Sequence, residues 1–91
     1  MKPYVFSSSE VDGNGYQSIT VCLKEPDVNE NGLYQFGMLV HFSLNHVRQE
    51  TTAYQMSFFN GGANIDPKVL KKWNGEILCE KECLEIAKDM F

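Results

Sequence analysis

Basic residues are scarce in this chain. Eight lysines and arginines stand against twelve acidic residues, Arg48 is the lone arginine, and the formal net charge is −4. Double-stranded DNA binding draws its affinity from cations that neutralise phosphates, so this composition argues against that partner class. Histidine is limited to His41 and His46, and cysteine to Cys22, Cys79 and Cys83. An odd, sparse set of cysteines is unlike the even, dense sets of disulfide-stapled secreted domains. No apolar run reaches the roughly 18 residues that a membrane helix needs. Ser7-Ser8-Ser9-Glu10 stands where a secretory signal would place its apolar core, and no Asn-x-Ser/Thr acceptor occurs. Together these absences lead to the expectation of a cytoplasmic, reducing setting away from membranes.

What is present is a rich supply of turn signals between β-forming runs. Ninety-one residues, 43% hydrophobic and 22% charged, suit one domain spanning 1–91, with a β-sheet part (1–60) and a helical part (61–91). Asn-Gly occurs at Asn14-Gly15, Asn31-Gly32, Asn60-Gly61 and Asn74-Gly75. Both residues adopt left-handed backbone angles at low cost, so each pair marks a tight turn or an element's end.

Tyr4 to Ser7 reads as a short strand. Tyr16 to Lys24 reads as a second, with Ile19, Val21 and Leu23 alternating with Ser18, Thr20 and Cys22. Pro26 ends it, since proline cannot donate to a ladder. Leu33 to Leu44 has the strongest period-two pattern, with Tyr34, Phe36, Met38, Val40, Phe42 and Leu44 on one face. A strand that long calls for a bend, expected at Gly37. Thr51 to Phe59 returns, with Tyr54, Met56 and Phe58 on one face and Ala53, Gln55, Ser57 and Phe59 on the other.

Asp66-Pro67 fits a helix start, followed by an apolar stripe of Val69, Leu70 and Trp73 and a left-handed close at Asn74-Gly75. A second helix is predicted over Glu80 to about Met90, opened by a capping-box-like Cys79-Glu80-Lys81-Glu82. The expected fold class is therefore α+β: a curved antiparallel β-meander of about four strands with two C-terminal helices packed on one face.

No string carries a complete chemical signature. Asp27-Val28-Asn29-Glu30-Asn31-Gly32 copies the opening of a calcium loop, but the twelfth position is Met38 and the flanks read as strands. A polar inter-strand turn is the simpler reading. Cys79 and Cys83 have helical spacing but match no zinc module, and Cys22 with His41 lacks the loops of a nucleophile–base site. Asn60 to Asn64 lacks the lysine and hydroxyl of a phosphate loop. The last helix carries Glu80, Glu82, Glu85 and Asp89, the wrong charge for a DNA groove. No catalytic residue, cofactor or metal ligand is therefore assigned.

The remaining clue is a mixed, semi-apolar second sheet face. With Leu33, Gln35, Leu39, His41, Gln55 and Phe59, and with Arg48 at an exposed tip, it is the expected partner-binding surface. The functional expectation is a non-enzymatic protein-interaction module of the inhibitor, immunity or adaptor type, such as a phage or mobile-element accessory protein. A second copy of the chain is an alternative occupant. Two further alternatives are a single-stranded nucleic-acid binder using sheet aromatics and a small thiol or metal-dependent enzyme.

Overall fold

The computed structural model describes residues 3–24, 27–35, 38–59 and 62–90, with backbone alone for 34–35, 57–59 and 62–67. In chain order the elements are β1 (Tyr4–Ser8), β2 (Tyr16–Lys24), β3 (Asp27–Val28), β4 (Tyr34–Gln35), β5 (Met38–Asn45), β6 (Glu50–Phe59), β7 (Gly62–Asn74) and α1 (Glu80–Met90). The main sheet has five strands in the order β1-β2-β5-β6-β7, and β3 pairs with β4 in a separate two-stranded ribbon. Every pairing is antiparallel. The fold is α+β, built from a five-stranded sheet and one C-terminal helix.

Directly opposed residues on neighbouring antiparallel strands share a face, so the register assigns both sides of the sheet. Val5 stands beside Val21, which stands beside Val40; Ile19 stands beside Phe42, and Phe42 beside Ala53. These side chains, with Leu44, form the core together with Leu78, Cys83 and Ala87. The alternation in β2 and β5 thus points its apolar set toward α1, which packs on β2 and β1. Trp73 joins this side, its ring 6.2 Å from that of Phe42.

Two local features set where α1 begins. Thr51, fully buried, donates its hydroxyl to the Glu76 carbonyl at 2.9 Å and accepts from the Leu78 N–H at 3.3 Å. That clamp pins the crossover that returns from β7 across the core. At the helix start the Cys79 N–H donates to Glu82 Oε1 at 3.2 Å, one half of a capping box. The Glu82 carboxyl is held below its usual range by that backbone donor.

Three expectations need correction. First, the stretch beginning at Asp66-Pro67 is not a helix but part of β7. Asp66, Pro67 and Lys68 fall between the pairs Tyr54↔Val69 and Met56↔Ile65, opposite the single residue Gln55, and Leu70 is a further unpaired insertion. An irregular outer strand tolerates a proline because a bulged residue needs no ladder bond. The helical spacing of Val69, Leu70 and Trp73 was a local signal that the ladder with β6 overrides. Five main-sheet strands and one helix therefore replace the expected four and two.

Second, the single strand expected over Leu33 to Leu44 is divided into β4 and β5, which belong to different sheets. Phe36 and Gly37, where the bend was expected, lie outside the described residues. Asn60-Gly61 lies outside them as well. Third, β6 presents the opposite faces to those expected. Ala53 is opposite Phe42 and Gln55 opposite Val40, which puts both on the helix side. Tyr54 and Met56 face the other way.

Candidate interaction face

The helix-free side of the sheet is built in rows across the strands. Tyr16, Asn45, Glu50 and Asn74 form one; Ser18, Ser43, Thr52 and Lys72 the next. Thr20, His41, Tyr54 and Val69 form the third, and Cys22, Leu39 and Met56 the fourth. Phe6 packs against Cys22 and Leu39 from β1, beside Tyr4.

This side is aromatic and hydroxyl-rich. Tyr4, Tyr16 and Val69 are exposed, and Tyr54, Met56 and Phe6 are half-buried. Tyrosine combines a large apolar body with a polar tip, which suits a surface that alternates between water and a partner. Charge is nearly balanced there: Lys72 Nζ lies 3.7 Å from Glu50 Oε2. His41 sits at the centre with Nδ1 3.2 Å from Thr20 Oγ1 and its ring 6.4 Å from that of Tyr54. Burial among these neighbours holds its pKa below the ordinary 6.5, so the ring is neutral at physiological pH.

The residues expected to form the partner surface do not assemble into one patch. His41 lies on the helix-free side as expected. Leu39 is on the same side but has no exposed surface, sealed with Cys22 beneath Phe6 and Met56. Gln55 points to the helix side. Leu33, exposed, follows the turn between β3 and β4, whereas Arg48, also exposed, lies in the loop after β5. Leu33 thus belongs to the separate β3–β4 ribbon and Arg48 to a loop of the main sheet. The side chains of Gln35 and Phe59 lie outside the described residues.

Tyr54, Tyr16 and Met56 were the residues missed. Their signal was the four-residue loop His46–Gln49 between the pair Asn45↔Glu50, which fixes the register of β6 and hence its faces. Apolar residues on both sides of β6 hid it.

The motif-like loops resolve as turns. Asp12 Oδ1 accepts from the N–H groups of Asn14 and Tyr16 at 2.8 and 3.0 Å. Asn29 Oδ1 accepts from Asn31 and Leu33 at 2.9 and 3.0 Å in the same pattern. Gly15 and Gly32 complete these matched hairpin loops with φ of 84° and 78°. The Asn29 oxygen that a calcium loop would offer to an ion is thus turned inward to the backbone.

The two C-terminal thiols differ in setting. Cys79 is exposed at the start of α1, while Cys83 is buried in the core, where desolvation, reinforced by Cys79, Glu82 and Glu80, pushes its pKa up to about 12. No three His, Cys, Asp or Glu residues among those described are grouped to hold a metal ion. Nor is any helix of the described residues long and apolar enough to cross a membrane.

Compared with known proteins, the chain matches no protein-family model, no curated protein and no solved structure.

Proposed function

We propose that this chain is a small acidic protein-interaction module that acts without catalysis, by covering a surface of a protein partner with the helix-free side of its sheet. An inhibitor, immunity or adaptor role is the class of activity this mechanism serves. The observation that carries the reading is the one-sided packing of α1, which leaves Tyr4, Tyr16, Tyr54 and Val69 on the other side of the sheet. Interfaces are enriched in such aromatics and depleted in unpaired charge at their centres. The loop tip at Arg48 supplies a polar rim at one end of the surface.

The test is affinity capture from the native host, comparing the wild-type chain with Tyr54→Arg and Arg48→Glu. Arg48→Glu should keep the wild-type urea midpoint because Arg48 is exposed, and Tyr54→Arg should still unfold cooperatively, with a midpoint lowered only by the half-buried ring it removes. Tyr54→Arg should abolish recovery of a stoichiometric partner, and Arg48→Glu should weaken it. A partner held equally by wild type and Tyr54→Arg places binding elsewhere on the molecule. Sedimentation of the purified chain separates self-association from this reading. Retention of single-stranded DNA or RNA at about 50 mM salt would favour a stacking platform instead.

A further inference from the structure

Three of the four Asn-Gly pairs lie among the described residues, and their backbone settings differ. In the two matched hairpin loops the glycine N–H is engaged: Gly15 donates to the Asp12 carbonyl at 3.1 Å and Gly32 to the Asn29 carbonyl at 2.9 Å. The Asn14 and Asn31 N–H groups are held as well, by the Asp12 and Asn29 side chains. At Asn74-Gly75 the strand ends and the crossover begins. Among the described residues Gly75 N–H has no such bond. Gly75 has φ of 82°, with nothing within 4 Å of where a Cβ would stand, and Asn74 is exposed.

We propose that Asn74-Gly75 is a site of spontaneous covalent modification, by deamidation through a cyclic imide, and the fastest of these three pairs. The Gly75 nitrogen, giving up its proton to solvent base, attacks Asn74 Cγ. The N–Cγ bond forms, the Cγ–Nδ2 bond breaks, and Nδ2 takes up a proton and leaves as ammonia. Water then opens the imide at either carbonyl to give aspartate or isoaspartate, with no change of oxidation state. A glycine N–H already donating to a carbonyl resists deprotonation and is held in place by the turn, which is the condition at Gly15 and Gly32 but not at Gly75.

The position has structural consequences. Asn74 is directly opposite Glu50, whose carboxylate pairs with Lys72 at 3.7 Å. A new carboxylate there faces a like charge across the strands and competes for that lysine. Isoaspartate also adds a methylene to the main chain just before the crossover that Thr51 pins. The modification therefore adds negative charge to one rim of the helix-free side and slackens the lead into α1.

The test uses the full chain, held at neutral to mildly alkaline pH and sampled over days, with aspartate and isoaspartate measured at each asparagine by peptide mass spectrometry. Asn74 should convert severalfold faster than Asn14 and Asn31 in the folded protein. In concentrated urea the three rates should draw together, because the difference lies in the fold. In folded Asp12→Ala, Asn14 should speed up as its turn loosens. Conversion of Asn14 or Asn31 at or above the rate of Asn74, an unchanged spread of rates in urea, or an Asn14 rate unmoved by Asp12→Ala would overturn the proposal.

Discussion

Replacing Thr51 by valine tests the clamp on which the one-sided architecture depends. Valine preserves the shape of threonine but removes the hydroxyl, so the Leu78 N–H, on a residue with 3% exposure, loses its acceptor. A buried donor left unsatisfied costs about 1–3 kcal/mol. The lost bond to the Glu76 carbonyl adds about 0.5–1.5 kcal/mol, at the lower end because Glu76 is exposed and water can replace the donor. Together Thr51→Val should cost about 1.5–3.5 kcal/mol. Thr51→Ser keeps both bonds and loses one buried methyl, at about 1 kcal/mol. A domain of this size is stable by only about 5–14 kcal/mol, so the contrast lies well within reach of urea unfolding. Amide exchange at Leu78 and through α1 should accelerate in the valine variant and not in the serine variant. If Thr51→Ser destabilises as much as Thr51→Val, packing rather than hydrogen bonding holds the crossover and the reasoning fails.

Two other outcomes follow from the same geometry. Gly32→Ala should cost about 1–2 kcal/mol for the left-handed backbone alone, since no atom crowds the new methyl. Gly15→Ala should cost up to about 1 kcal/mol more, because its Cβ would come within 2.7 Å of Val47 Cγ2, and Gly15→Ala with Val47→Ala should return to the Gly32→Ala value in urea titrations. For His41 the folded pKa lies below the unfolded 6.5, so between the two values the unfolded chain binds more protons. Its contribution to stability is then full above pH 6.5 and is lost as pH falls from there through the folded value. Urea midpoints measured across that range should fall less steeply for His41→Gln than for wild type, and equal slopes would refute the assignment.

Much of the sheet was legible because period two is hard to imitate. Ile19 and Val21 in β2, and Val40, Phe42 and Leu44 in β5, alternate with residues that do not share their face, and all five are buried where that pattern places them. Cys83, Ala87 and Met90 likewise recur at helical spacing, and they are on the side of α1 that packs on the core. β7 was not legible, because Asp66-Pro67 and the spacing of Val69, Leu70 and Trp73 satisfy helical rules locally. Only a neighbouring strand makes the other choice favourable. The faces of β6 were hidden for a related reason: with Ala53, Tyr54 and Met56 apolar on both sides, a one-residue slip of register changes nothing in the pattern. His41 is therefore legible as a member of the second sheet face, while Tyr54, which stands directly opposite it, is not.

The return of α1 to β1 and β2 also orders the assembly of the molecule in time. Neighbouring strands of the main sheet can zip through comparatively short closures, but seating the helix joins the earliest and latest segments of the chain, and that closure carries the largest entropic delay. Until it happens, Ile19, Val21, Val40 and Phe42 face solvent on a nascent sheet whose outer rim is free to recruit another chain. Lys68, Lys71 and Lys72 are set along that rim, and lysines on an edge strand disfavour pairing with a second copy. The charges on β7 thus protect a passing state of the chain as much as its finished form.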